Sequence, residues 1–228
     1  MDTIPKKIHL ISAEKKTPPQ YAGFIDQMHA LHPAWQINVW DDSTASATVA
    51  QHFPDWQPRY DRYTLPVQRA DIFRAIVVYL YGGFYLDMDM QCLKSLDDLC
   101  GNGMVLGVEK TLSVEACRRL HHKYPVRIAN YMFGSVPGHG FWLDFLAAAK
   151  ENSDVDIKQE ADILEGTGPG LFTNVYHENA HRYNNIAMLS NVEKACLKSC
   201  GPASCHFGDY AVHFHVGSWR WEQTLIKR

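Results

Sequence analysis

A chain of 228 residues, 46% hydrophobic and 12% aromatic, is long enough to close a substantial core, and its size suits a single domain over residues 1–228. A formal net charge of −3 provides no general basic field for a phosphate polymer, so nucleic-acid binding is not expected. No window reaches the roughly 18 consecutive apolar residues of a spanning helix, and "MDTIPKKIHLIS" does not read as a secretory signal. A cytoplasmic location is expected, with peripheral membrane contact left open.

In chain order, "KIHLIS" reads as a strand, and a helix runs from about Pro19 to Leu31 before His32-Pro33. "WQINVWDD" is a second strand, which completes a βαβ unit. A weaker helix follows, with Ser43 as its expected N-cap, then the aromatic connector "PDWQPRYDRYTLP". The strongest helix spans about Pro66 to Tyr81 and ends at Gly82-Gly83, which makes "FYLDMDM" a strand. "GMVLGVE" and "IANYMFGSV" read as strands, "GFWLDFLAAAKEN" and "PGLFTNVYHENAHRY" as helices, and "YAVHFHVGSW" as a closing strand. The fold class is α/β.

Six cysteines without a secretory signal are expected to be mostly free thiols. Cys196, Cys200 and Cys205 beside His206 are zinc-ligand types, but their three- and four-residue gaps differ from the usual knuckle, so a surface loop is expected.

Period-two alternation would put Asp87 and Asp89 on one strand face, where two carboxylates repel unless a cation lies between them. Oxygen ligands suit Mg²⁺ or Mn²⁺. On the preceding helix Asp71 and Arg74 lie three apart, opposite the stripe Ile72, Phe73, Ile76, Val77 and Leu80. Periodicity leaves open whether they form an exposed salt bridge or hold the hydroxyl groups of a polar ligand.

"IPKKIH", "WQINVWDD", "RADIFRAIVVYLYGGFYLDMDM", "GTGPG" and "HFHVGSW" together resemble glycosyltransferase family 32, the D-x-D sugar-binding region family that includes the yeast outer-chain mannosyltransferases. The Asp-x-x-Arg and Gly-Gly-x-Tyr-x-Asp-x-Asp block is also similar to the large clostridial glucosylating toxins. The resemblance implies a GT-A type nucleotide-binding sandwich with a mainly parallel central sheet, a nucleotide-sugar donor, Mn²⁺ or Mg²⁺, and retention of anomeric configuration. UDP-sugars are favoured over GDP-mannose. The acceptor would be a glycan, a lipid-linked sugar or a protein, with bacterial surface polysaccharide synthesis favoured. It further implies catalytic roles for Asp87, Asp89 and Arg74, with Asp71 and Arg74 gripping the donor sugar. Asp89 and Asp87 would ligate metal with a histidine near the C-terminus, His215 preferred and His213 second. Donor binding would fall to Ile8, His9, Leu10, Trp40, Asp71, Arg74, Asp87, Gly168, Ser218 and Trp219, with the amides around Gly168 seating an oxygen. A metal-dependent phosphohydrolase and a non-catalytic nucleotide-sugar or carbohydrate-binding module are the alternatives.

Overall fold

The computed structural model describes residues 3–13, 17–152, 156–190 and 205–215. The first half alternates strand and helix: β1 (Lys7–Ile11), α1 (Ala22–Leu31), β2 (Gln36–Trp40), α2 (Asp42–His52), α3 (Gln57–Arg62), α4 (Pro66–Tyr81), β3 (Gly83–Leu86) and β4 (Met90–Cys92). The second half contains β5 (Met104–Thr111), α5 (Val114–Leu120), β6 (Val126–Ile128), β7 (Met132–Ser135), α6 (Phe141–Glu151), α7 (Glu160–Gly166), α8 (Pro169–Asn179), β8 (Ile186–Leu189), β9 (Cys205–Phe207) and β10 (Ala211–His213).

A seven-stranded sheet has the order β2-β1-β3-β7-β5-β6, with β8 also paired to β5. β1 is parallel to β2 and β3, β7 is antiparallel to both β3 and β5, and β8 is parallel to β5. β1, β2, β3, β5 and β8 therefore run one way and β6 and β7 the other. The sheet is mixed and mainly parallel, flanked by helices, as the α/β reading requires. A separate three-stranded sheet, β4-β10-β9, is wholly antiparallel.

Alternation along the strands divides the apolar core between the two faces of the large sheet. Tyr85, Met104, Leu106 and Phe133 face one cluster with α4, α6 and α8. Ile8, Leu10, Phe84, Leu86 and Val105 face the other, with α1 and the small sheet. α4 lies between the large sheet and helices α2 and α6, so Asp71 through Val78 are all buried. Ile72, Phe73, Ile76 and Val77 of the sequence stripe are buried, and Asp71 and Arg74 on the other side of the helix are buried as well.

Several boundaries differ from the sequence reading. α2 is capped by Asp41 and not Ser43: the Asp41 carboxylate accepts from the Thr44 amide at 2.7 Å and the Thr44 hydroxyl from the Asp41 amide at 3.0 Å. The aromatic connector contains α3, and "IANYMFGSV" is broken at Ala129–Tyr131 into the end of β6 and β7. "FYLDMDM" is also not one strand. β3 stops at Leu86, a turn follows in which the Met90 amide donates to the Asp87 carbonyl at 3.2 Å, and β4 starts in the other sheet. Cys205 and His206 lie in β9, whereas Cys196 and Cys200 fall outside the described residues. Cys92, Cys100, Cys117 and Cys205 are free thiols.

The α4–β3 junction requires glycine. Gly82 has φ +60° and Gly83 φ +99°, and a Cβ on Gly83 would lie 2.6 Å from the Lys7 carbonyl oxygen. That oxygen is backbone in the neighbouring strand, so it cannot yield without separating β1 from β3. Gly83→Ala should cost about 2–4 kcal/mol, the sum of a strained φ and a disturbed strand pairing. The check is a urea denaturation midpoint that falls with unchanged m.

Candidate active site

Arg74 is the centre of the site, and the helix that carries it is buried on all sides over this stretch. Its Nη2 lies 3.2 Å from Asp71 Oδ1, one helical turn back. Its Nη1 donates to the Asn130 carbonyl at 2.6 Å and lies 3.4 Å from Asp87 Oδ1. The guanidinium also sits 4.7 Å from the centroid of the Tyr85 ring. An exposed surface salt bridge is excluded, because the two side chains are 9% and 4% exposed.

Asp71 accepts from Asn130 Nδ2 at 3.2 Å and from Thr167 Oγ1 at 3.1 Å in addition to Arg74. Burial pushes its carboxyl up to about 7, although Arg74 and the Thr167 hydroxyl pull the other way. A carboxylate has about four acceptor positions, and these partners take three of them. Thr167 belongs to "GTGPG", which the fold does bring to the site, but through a side chain. The amides of Thr167 and Gly168 donate to the Ile163 carbonyl at 3.0 and 3.1 Å, ending α7, so Gly168 does not seat an oxygen through its N–H.

Asp87 is held from three directions. Its amide donates to the Tyr131 carbonyl at 2.8 Å, the Tyr85 hydroxyl donates to Oδ1 at 2.5 Å, and Arg74 lies on the same oxygen. Burial raises the Tyr85 hydroxyl well above its ordinary pKa, so it stays a donor. Asp87 Oδ2 faces the other way, 3.8 Å from His213 Nε2, and Asp89 Oδ1 is 3.0 Å from that same nitrogen. Ligand atoms of Asp87, Asp89 and His213 all lie within 4.8 Å of one another. Two carboxylates and one imidazole are an oxygen-rich donor set that can coordinate a divalent cation.

The histidine in this cluster is His213, which reverses the order of preference expected from sequence. β10 ends at His213, and His215 adopts φ +50°, so strand alternation does not carry His215 onto the same face. Its ring packs against His213 with centroids 3.9 Å apart, and Tyr131 covers His213 at 4.4 Å. Burial lowers the His213 pKa, but the hydrogen bond to Asp89 and the charges of Asp87 and Asp89 outweigh it and hold the imidazole above its ordinary value.

The expected donor residues on β1 separate by face. Ile8 and Leu10 are fully buried in the apolar core and present no side chain to a ligand. Both ring nitrogens of His9 are in use: Nε2–H donates to the Gly82 carbonyl at 2.9 Å, and Nδ1 accepts from the Trp40 indole at 3.1 Å. Burial takes the His9 pKa down to about 4, which fits this neutral clamp between β1, β2 and the α4–β3 turn. Trp40 has thus committed its N–H and stacks on Tyr81 at 5.8 Å. Ser218 and Trp219 fall outside the described residues.

Residues 18–106, which include Asp71, Arg74, Asp87 and Asp89, match the family described as glycosyltransferase sugar-binding region containing DXD motif. Over that segment the chain is similar to the D-x-D glycosyltransferase sugar-binding regions. The chain is 29% identical over 210 residues to mannosyl phosphorylinositol ceramide synthase of Saccharomyces cerevisiae, covering 92% of the chain and 49% of that protein. It is 30% identical over 166 residues to inositol phosphoceramide mannosyltransferase 2 of Schizosaccharomyces pombe, covering 73% and 44%. The chain thus spans about half the length, or less, of these curated relatives. Its fold is similar to the solved structure of PaToxG glycosyltransferase, with a TM-score of 0.56 at 16% identity over 80% of this chain and 72% of that one. At that identity the similarity is one of fold.

The raised Asp71 pKa has a measurable sign. An unfolded aspartate ionises near 3.9 and the folded one at about 7, so between these values the native state retains a proton that the unfolded state has lost. Asp71 therefore costs the native state progressively more as pH rises through that window. Asn mimics the protonated form, so the stability deficit of Asp71→Asn should be greatest near pH 4 and shrink by up to about 1.4 kcal/mol per pH unit toward pH 7. Parallel denaturation of both proteins across that range is the measurement, and a deficit independent of pH is the contrary result.

Proposed function

We propose that the domain transfers a hexose from a nucleotide-sugar donor to an acceptor hydroxyl with retention of configuration, using Mn²⁺ or Mg²⁺ held by Asp87, Asp89 and His213. The observation that carries this reading is the single guanidinium of Arg74 between two unlike carboxylates: Asp87, turned toward the candidate cation, and Asp71, bonded to the Thr167 hydroxyl and the Asn130 amide. A nucleotide-sugar likewise joins two unlike parts, a diphosphate and a polyol. The names of the two fungal relatives support a mannosyl donor, so GDP-mannose moves ahead of the UDP-sugars, and they support a glycan or lipid-linked polyol as acceptor.

When bound, the cation supplies positive charge against the diphosphate as the anomeric bond breaks. The protein's own groups orient the partners. Asp71 accepts from a sugar hydroxyl while Thr167 and Asn130 hold its rotamer. The donors of Arg74 are committed to Asp71, Asp87 and the Asn130 carbonyl, so its work is to keep both carboxylates in place. Tyr85 holds Asp87 Oδ1, which leaves Oδ2 on the side of Asp89 and His213. Asp87 is the most open member of the group, with 26% of its side chain exposed.

Asp89→Asn should lower Mn²⁺ affinity and the rate of nucleotide-sugar hydrolysis by orders of magnitude with the fold intact. His213→Ala should raise the Mn²⁺ requirement sharply and His215→Ala only weakly. A proton on His213 competes with the metal, and in the metal-free protein that proton is held more tightly than on an ordinary histidine. The Mn²⁺ concentration for half-maximal hydrolysis should therefore fall as pH rises through the His213 titration and flatten in His213→Ala. Manganese titrations at several pH values with a panel of nucleotide-sugars test the metal site and the donor together. Wild-type Mn²⁺ dependence in both Asp89→Asn and His213→Ala would remove the metal role.

A further inference from the structure

The first half of α4 carries four long polar side chains, Gln68, Arg69, Asp71 and Arg74. Three of them find their partners within the protein. Arg74 is held by Asp71, Asp87 and the Asn130 carbonyl, and Asp71 accepts from Asn130 and Thr167 as well. Arg69 donates to the Tyr63 carbonyl at 2.9 Å and to Asp42 Oδ2 at 2.8 Å. Gln68 is the exception. It is only 5% exposed, and its backbone amide donates to the Leu65 carbonyl at 3.0 Å, yet among the described residues its carboxamide has no hydrogen-bond partner. A covered side-chain amide is normally bonded within the protein, and one that is not needs a reason.

Its place in the fold supplies that reason. α4 turns into β3 at Gly82 and Gly83, so the helix runs back along the strand and its first turns pass the strand's carboxyl end. The contact between Arg74 and Asp87 marks the level at which β3 has ended, and Gln68 lies about 9 Å further out along the helix axis. The carboxyl ends of parallel strands are where α/β sheets take their ligands. Gln68 is three residues from Asp71 and is therefore its neighbour on the helix surface. Neither carboxamide atom is among the fully enclosed unpartnered atoms, so the head stays reachable while the stem is covered.

We propose that Gln68 binds hydroxyl groups of the donor sugar and sets which hexose is accepted. This rests on the transferase reading of the central site. A carboxamide carries an acceptor oxygen beside a donor nitrogen, which suits two neighbouring hydroxyls bonded in opposite senses, whereas a carboxylate only accepts and a guanidinium only donates. Asp71 already has three protein partners and Gln68 has none, so discrimination between sugars falls to Gln68. A sugar that lacks the matching hydroxyl leaves the amide covered and unpaired, which is how a polar site rejects a close analogue.

The test uses the full chain and Gln68→Met, which keeps the length of the side chain and removes the amide. Because that amide has no partner in the free protein, the variant should melt no lower than the wild type. Calorimetric titrations in MnCl₂ compare GDP-mannose with GDP, and UDP-glucose with UDP. The variant's affinity for the nucleotide-sugar that the wild type binds should fall about tenfold or more, while its affinity for the matching nucleoside diphosphate stays the same. Gln68→Ala should show the same contrast. Monodeoxy analogues of that nucleotide-sugar then locate the hydroxyl: the analogue lacking it should bind wild type and variant equally. Equal binding of the intact nucleotide-sugar by wild type and variants overturns the assignment. A lowered melting temperature, with nucleotide-sugar and nucleoside diphosphate affinities falling together, also overturns it and leaves a structural amide. A wild type that binds neither nucleotide-sugar and hydrolyses none overturns the transferase reading itself.

Discussion

A buried guanidinium must be surrounded by acceptors, and Arg74 is the group whose needs organise this molecule. Taking a cation out of water costs several kcal/mol unless its hydrogen bonds are replaced. Here Asp71, Asp87 and the Asn130 carbonyl replace them and the Tyr85 ring faces the ion. Each replacement imposes a condition elsewhere. Asp71 must sit one turn earlier on the same helix, and β6 and β7 must be interrupted so that Asn130 can turn its carbonyl inward. Removing any one of them would leave a charge stranded in a dry interior.

The two sheets give the same point in terms of layers. β3 belongs to the large sheet and β4 to the small one, and the D-x-D residues occupy the turn between them. Asp87 is therefore fixed by the large sheet through Tyr85 and Arg74, while the Asp89 carbonyl accepts from the Phe214 amide at 3.1 Å, a residue that follows β10 of the small sheet. The acidic cluster lies on the seam between two layers whose hydrogen-bond ladders are independent. Gly83 allows the backbone of β3 to approach β1 closely, and Gly82 lets the turn before it fit against Pro5 and Pro137.

Much of this was legible in the chain. The βαβ opening, the strong helix from Pro66 and the stop at Gly82-Gly83 are local patterns, and local patterns survive into the fold. The D-x-D pair was legible as chemistry but not as geometry, because alternation cannot show where a strand leaves its sheet. His213 and His215 were indistinguishable by spacing, and the difference is one residue with positive φ. Asn130 had no signal at all, lying inside a stretch that reads as continuous strand. Thr167 lay within the quoted "GTGPG", yet its contact with Asp71 spans 96 residues, which no local pattern encodes. Ile8 and Leu10 were misplaced for the opposite reason: position near a strand end says nothing about which face a side chain takes.

His213 is contributed by the last strand among the described residues, whereas Asp87 and Asp89 are in the first half of the chain. On the ribosome, the N-terminal βαβ unit, α4 and β3 emerge long before β10. Through that interval the two acidic side chains have no imidazole beside them, and β4 lacks the partner it pairs with in the small sheet. A nascent chain can therefore build the first strands of its large sheet while its cation cluster is still missing a ligand. Assembly of the cluster is tied to the arrival of the closing hairpin, so premature termination upstream of Ala211 would yield a partly folded product unable to acquire the complete ligand set.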